Sequence, residues 1–405
     1  MTLSGEPVQK IVFRNEASYP STTYATFGLY RYPAKFIPQV VAYILKNYST
    51  PGMKIFDPFA GYGTVGVVAR LFGCDYELWD INPMLKVLHR ISIAKPIRID
   101  ITEVIREMKR STNEFIPEWK NLGYWYDQQV LSLLSKVWGY YYSLNNESLK
   151  QFLMIPLLKT SRTFSFDDSQ RMKLSKSKRS VENVKAILRS HWEARFFSDL
   201  ETEMYKLLKG QEDYWKLNPK SVRGTIRIMD TLTGRLRENK DILITSPPYL
   251  QSQEYIRQAK MDLFWLGFKQ NQINRLSKLE IPYREIKPIK IESDTFEEYR
   301  NGIYEPHIQK IFDRYFWGTL GSLTRLQENI MKYMFIFVGH SSTRGRATPI
   351  DRIFIEHLEK YGWIHVRTLS DTIVNKRLFD YKINPASKLK DERTSVENLV
   401  ILKRL

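Results

Sequence analysis

The stretch from residue 53 to residue 82 restricts the fold more than any other part of the chain. Met53-Lys-Ile-Phe-Asp57 is a short apolar run ending in an acid, and Pro58-Phe-Ala-Gly-Tyr-Gly63 follows at once. Thr64 to Leu71 carries apolar residues at helical spacing, and Tyr76 to Asp80 forms a second short run. Strand, glycine turn, helix and strand in that order predict the opening of a doubly wound, Rossmann-like α/β sheet. Further strands are predicted at Thr225–Met229, Asp241–Thr245, Lys332–Val338, Trp363–Leu369 and Asn398–Leu402.

Gly61 and Gly63 let the backbone approach a ligand closely, and the helix that follows presents free N–H groups. Asp80 ends the second run about twenty residues past the turn, where a carboxylate accepts hydrogen bonds from both hydroxyls of a ribose. An isolated acid at a strand end is more often structural. The glycine turn ahead of it shifts the reading to ribose binding. The turn lacks the third glycine of a pyrophosphate-binding fingerprint, which argues against a dinucleotide.

A chain of 405 residues is long for one compact core and predicts a large catalytic domain with an added module. The boundaries expected are 1–90 and 223–405 for the two parts of the nucleotide-binding domain, with a largely helical, basic insertion at 91–222. Lys and Arg number 62 against 44 for Asp and Glu, a net charge of +18. That surplus points to a polyanionic partner, since each neutralised phosphate releases condensed counterions. No apolar run approaches the ~20 residues of a membrane span. The opening residues MTLSGEPVQKIVFRNE lack the pattern of a secretory signal, so an intracellular, cytoplasmic protein is expected. Cys74 is the single cysteine, which excludes an internal disulfide and a thiolate zinc cluster, and the six histidines show no ligand spacing. No metal is expected.

Within the insertion, Leu131, Leu134, Trp138, Tyr141 and Tyr142 fall at helical spacing, and packed core is a better reading of that stripe than a base-stacking surface. Gln170-Arg-Met-Lys-Leu-Ser-Lys-Ser-Lys-Arg179 carries five basic residues and no acid. A solvated loop is the plain reading of such a run; in a chain this basic it is also the leading candidate for a nucleic-acid-reading module. Residues 268–325 are the second candidate.

Thr245-Ser-Pro-Pro-Tyr249 follows a predicted strand directly. Two prolines cannot continue a ladder, so they stiffen the loop at the carboxyl edge of the sheet, where ligands sit in such folds. Ser246 offers a hydroxyl, Pro247 a carbonyl without a competing N–H, and Tyr249 an aromatic face. That set suits a planar base bearing an amino group.

Asp57-Pro-Phe-Ala-Gly-Tyr-Gly-Thr64 together with Thr245-Ser-Pro-Pro-Tyr249 resembles the amino-group DNA methyltransferases, and the Ser-Pro-Pro-Tyr form is similar to their cytosine-N4 branch. Tyr32-Pro-Ala-Lys-Phe36 resembles the family segment that closes over the methionine half of S-adenosylmethionine, and Asp230 matches a third cofactor acid near the adenine. Asp262-Leu-Phe-Trp-Leu-Gly267 and Val338-Gly-His-Ser341 also look like family segments. Tyr30 and His340 depart from the family, which often has His and Asn there. The resemblance implies a Rossmann-like methyltransferase sheet, S-adenosylmethionine as cofactor, and double-stranded DNA as substrate. Cofactor contacts are then expected from Tyr32, Lys35, Asp57, Phe59, Ala60, Gly61, Gly63, Thr64, Asp80, Ile81, Asp230, Thr231 and Thr245. Catalysis is expected from Ser246, Pro247, Pro248 and Tyr249, and DNA contacts from Arg162, Arg171, Lys173, Lys176, Lys178 and Arg179. A restriction–modification setting, with a cognate endonuclease as candidate partner, goes with the same family.

Adenine-N6 methylation of DNA is the nearest rival, because the same loop serves both amino groups. A tRNA guanine-N2 methyltransferase shares the Asp-Pro-Phe turn but usually carries an acid in place of Ser246. A catalytically silent nucleic-acid-binding protein is disfavoured by the intact motif pair. Glu285-Ile-Lys287 has a nuclease-like pattern, although such tripeptides are common.

Overall fold

The computed structural model describes residues 8–17, 19–32, 35–171, 173–250, 254–339, 341–343, 346–372 and 396–405. Ten strands are formed: β1 (Gln9–Ile11), β2 (Lys54–Asp57), β3 (Asp75–Asp80), β4 (Gly224–Ile228), β5 (Lys240–Thr245), β6 (Ile330–Gly339), β7 (Ser341–Thr343), β8 (Arg346–Thr348), β9 (Trp363–Thr372) and β10 (Val396–Arg404). Eight of them make one sheet in the order β1-β9-β10-β6-β5-β2-β3-β4, and β7 and β8 pair separately. β4, β3, β2, β5 and β6 run parallel, whereas β10 lies antiparallel between β6 and β9. The seven strands expected from the sequence are all present. β1 and the β7–β8 hairpin, each of three-residue strands, were not foreseen.

The strands alternate their apolar residues between two covered faces, as a sheet buried on both sides requires. Ile55, Ile242, Ile244, Phe335 and Ile401 join the core under helices Pro38–Tyr48 and Thr64–Ala69. Phe56, Leu243, Met334, Ile336 and Val400 face the opposite core, beneath helices Pro306–Leu326 and Ile350–Glu359. From β2 the chain steps outward to β3 and β4, then returns to β5 on the other side of β2. A crevice opens at such a reversal, beyond the carboxyl ends of the strands.

The segment between β3 and β4 is helical, with Gln128–Ser143, Glu147–Thr163 and Trp192–Lys216 its longest helices. Asp127 and Asn146 cap the first two by accepting from Gln129 N and Leu149 N. Leu134, Trp138 and Tyr141 are buried as the stripe predicted, with Leu131 and Tyr142 packed partly buried against them. Trp138 stacks on Trp265 at 5.4 Å and 16°. The helical segment therefore shares one core with helix Tyr255–Trp265 and with Met84 and Leu88 of helix Met84–Ile93. Residues 268–325, the second candidate for a reading module, form helices Gln270–Ser277 and Asp294–Asn301 and most of the long helix Pro306–Leu326 under the sheet. Among the described residues no helix is long and apolar enough to cross a membrane, and no His, Cys, Asp and Glu cluster could hold a metal ion.

Candidate active site

The glycine turn leaves β2 at Asp57 and the proline loop leaves β5 at Thr245, and these two residues are tied together. The Thr245 hydroxyl donates to Asp57 Oδ1 at 2.7 Å, and Phe59 N donates to the same oxygen at 3.0 Å. Asp57 is 1% exposed, and burial pushes its carboxyl up to about 7. Its place is beneath the site, fastening one loop to the other.

Gly61 and Gly63 have φ of 51° and 86°, the left-handed region that glycine enters without strain. A Cβ on Gly63 would come within 2.9 Å of His89 Nδ1, so the turn is closed from below as well. Above it, Gly61 N donates to Asp80 Oδ2 and Asn82 N to Asp80 Oδ1, both at 2.8 Å. Each oxygen keeps a further lone pair. Burial pushes the Asp80 carboxyl up to about 6 despite those two donors.

A cleft of ≈ 710 Å³, counted to its open mouth, lies over this turn. Of the expected cofactor residues, Tyr32, Phe59, Gly61, Asp80, Ile81, Asp230 and Thr231 line it, and so do Ser246 and Pro248 of the proline loop. Lys35, Asp57, Ala60, Gly63, Thr64 and Thr245 do not. Most of them lie behind the lining, with Thr64 1% and Thr245 0% exposed. Lys35 is turned away altogether. Its ammonium donates to the Phe27 carbonyl and lies 5.1 Å from the Tyr62 ring centre, and burial lowers it to about 8.

Asp230 reaches the cleft, but its carboxylate is engaged by Arg284 at 2.6 Å and by Leu232 N at 3.0 Å. The proline loop presents Ser246 and Pro248 to the cleft and turns Tyr249 away, beside Gly339. There the half-buried ring is fixed by its hydroxyl, which donates to Glu397 Oε1 at 2.5 Å. The segment Leu279-Glu-Ile281 and Tyr255 also line the cleft, and none of them was foreseen. Glu280 accepts from Ile256 N at 3.0 Å, and burial pushes it up to about 7. Tyr255 stacks on Tyr32 at 6.2 Å and 26°. The one available signal was an acid between Leu279 and Ile281 in an otherwise polar stretch.

The expected DNA contacts are placed differently. Arg162 donates to Asp167 at 2.9 Å, to Asp262 at 2.6 Å and to the Gln258 carbonyl at 2.8 Å. Asp262 also accepts from Tyr30, so the tyrosine found in place of histidine completes a buried network. Arg162 is thus already engaged by two carboxylates and a carbonyl of the same chain. Lys173 pairs with Glu254 at 2.8 Å, while Arg171 and Arg179 both pair with Asp168. Lys176 lies 4.3 Å from the centre of the Tyr124 ring, and Lys178 is exposed. Glu285 is exposed and pairs with the buried Arg314. His340 lies outside the described residues.

No protein-family model matches the chain. The chain is similar to the Type II methyltransferase M.MvaI of Kocuria varians, 23% identical over 94% of this chain and 91% of that protein. That likeness spans nearly the whole of both chains. The Type II methyltransferase M.MjaII of Methanocaldococcus jannaschii is 34% identical over 96 residues, 24% of this chain and 18% of that protein. The solved rRNA methyltransferase aviRa from Streptomyces viridochromogenes aligns over 93% of this chain and 88% of its own at 10% identity, with a TM-score of 0.30. That score is too low to argue from. S-adenosylmethionine is the cofactor that the methyltransferase relatives imply. The cleft fits its nucleoside: Asp80 keeps lone pairs for ribose hydroxyls, and Phe59, Ile81 and Leu232 are apolar neighbours for a planar base.

Proposed function

We propose that this protein is a site-specific DNA methyltransferase that transfers a methyl group from S-adenosylmethionine to N4 of cytosine in duplex DNA. The observation that carries the reading is an acidic cleft in a basic protein. Asp80 and Glu280 line the cleft of a chain whose net charge is +18, while the third acid there, Asp230, is already met by Arg284. Such a cleft repels phosphate and favours a cationic ligand, which in turn favours the ionised forms of Asp80 and Glu280. S-adenosylmethionine, when bound, supplies an electrophilic methyl on a positively charged sulfur.

The chain's own part is to hold and prepare the amino group. Ser246 faces the cleft, and its hydroxyl and the Pro247 carbonyl accept the two amino hydrogens. This draws the nitrogen toward tetrahedral geometry and frees a lone pair otherwise delocalised into the ring. Tyr249, fixed by Glu397 beside Gly339 and outside the cleft lining, anchors the loop that carries Ser246 and Pro248. Alignment of the reactants removes several kcal/mol of barrier, with ~7–11 kcal/mol the upper range. The base leaves the duplex at a cost of about a few kcal/mol, which phosphate contacts over the basic surface offset.

Mass spectrometry of nucleosides from DNA of cells expressing the protein tests the assignment. N4-methylcytosine is the expected product. N6-methyladenine would retain the mechanism and overturn the choice of base, and no methylated base at all would overturn the function.

A further inference from the structure

A second concavity, a groove of ≈ 1080 Å³, lies beside the cleft. Helix Tyr255–Trp265 separates the two: Tyr255 and Ile256 line the cleft, whereas Arg257 and Lys260, with the preceding Glu254, line the groove. The opposite wall comes from the helical segment and the basic run. It brings Trp119, Tyr124 and Trp125 together with Leu174, Ser175 and Lys176.

Two features of this wall point to a ligand. Trp119 is 6% exposed, and its indole N–H has no hydrogen-bond partner; the hydroxyl of the half-buried Ser175 has none either. Trp119 is not misplaced, since it stacks on Phe264 at 4.5 Å and 10° and on Trp125 at 5.9 Å and 23°. An unmet buried donor costs stability, and two on one groove are a loss that a bound acceptor would recover. The second feature is charge. Lys176, Arg257 and Lys260 share the groove with one acid, Glu254, which is already paired with Lys173 and Arg257. Burial, and then the neighbouring Arg257, hold Lys260 below the usual lysine range. Tyr124, 55% exposed, adds an aromatic surface with Lys176 over its ring.

We propose that this groove reads a base flanking the methylated position in DNA, with Trp119 and Ser175 meeting its edge and Lys176, Arg257 and Lys260 holding its phosphates. The inference rests on the proposed function and adds the surface that sets sequence specificity. Placement next to the proline loop's outgoing helix puts the reading surface beside the chemistry, one or a few nucleotides away.

The test compares Trp119→Phe with the wild-type full-length chain, both with S-adenosylhomocysteine present. The probes are a 24-base-pair duplex centred on a site methylated in expressing cells and a scrambled duplex of equal composition. Trp119→Phe keeps the stacked ring and deletes only the N–H. Affinity for the site duplex is expected to fall about 2–13-fold, the worth of one hydrogen bond, while the scrambled duplex changes little. The melting temperature is expected to hold or rise, because an unmet donor is gone. Unchanged affinity for the site duplex overturns the proposal, and so does an equal loss on both duplexes, which would mean a backbone grip without reading. Ser175→Ala gives the same comparison should Trp119→Phe fail to fold. Wild-type protein that methylates no DNA overturns the proposed function and this inference together, whereas lost discrimination alone bears on the groove.

Discussion

The glycine turn after β2 and the basic run at 170–179 are the two most conspicuous stretches of the sequence, and the fold uses them in opposite ways. In the turn, polar capacity is left open: Asp80 holds two backbone N–H groups and keeps lone pairs toward a cleft. In the run, Arg171, Lys173 and Arg179 are each paired with an acid of the same chain. A backbone constraint forces particular residue types into a site, so the motif survives as a site when folded. Charge composition forces only a sign, and the fold is free to consume that charge locally. What distinguishes a functional polar group here is the bond it does not make.

That contrast is sharpest at Ser246, which faces the cleft from a loop whose next residue is buried. Ser246→Ala should leave the loop and cofactor affinity intact, because the prolines and the Thr245–Asp57 bond stay. Turnover should fall by about 10²–10³, by analogy with the loss of one preorganised partner of a developing charge. Single-turnover methylation with tritiated cofactor checks this. Full turnover in the folded variant would put the proline loop outside the chemistry.

Asp80 gives the next largest effect and carries a pH signature. Its folded pKa is raised by burial to about 6, so it becomes protonated as pH falls through that value. Only the carboxylate accepts from both ribose hydroxyls. Affinity for S-adenosylhomocysteine should therefore be full above about pH 7 and fall below 6, by at most tenfold per pH unit for one proton. Asp80→Asn should bind about 10–150-fold more weakly at pH 8, the worth of a hydrogen bond to a charged group, and lose the dependence centred near 6. Calorimetry across pH 5–8 decides. An unchanged profile in the variant would assign the proton to Glu280, whose carboxyl lies at about 7.

The two regions also differ in how far they could be read in advance. All seven expected strands formed; six pair a buried apolar run with a turn signal, and the edge strand β4 is only partly covered. The cleft residues Phe59, Gly61, Asp80 and Ser246 were legible for the same local reason. Glu280 and Tyr255 were not, since only the packing of helix Tyr255–Trp265 against the helical segment brings them to the cleft. Lys35 shows the converse. The motif around it was readable, yet a long flexible side chain let its ammonium settle on the Phe27 carbonyl. Arg162 looked like one more cation in a basic region, and nothing in the sequence marks Asp167 and Asp262 as its partners. Asp167 is only five residues on, but Asp262 is a hundred, and pairing over that distance has no local signature.

The smallest expected effect is the one that tests the paired basic run itself. Replacing Arg171, Lys173, Lys176, Lys178 and Arg179 together with Ser would, for five free phosphate contacts, lower the log–log salt slope of DNA binding by roughly five units. Exposed ion pairs are weak, about 0.2–1 kcal/mol, so DNA can displace some of them, but each displaced acid remains nearby and subtracts from the gain. With three of the five cations so paired, and Asp168 shared by two of them, the slope should fall by only about one to two units. Cofactor affinity should not change, since none of the five lines the cleft. Titration of a fluorescent duplex between 50 and 300 mM salt measures the slope. A drop near five units would show that DNA strips every internal pair, and the contrast between an open turn and a consumed run would fail. No drop would make the run a solvated surface, leaving DNA contact to groove residues outside it such as Arg257 and Lys260.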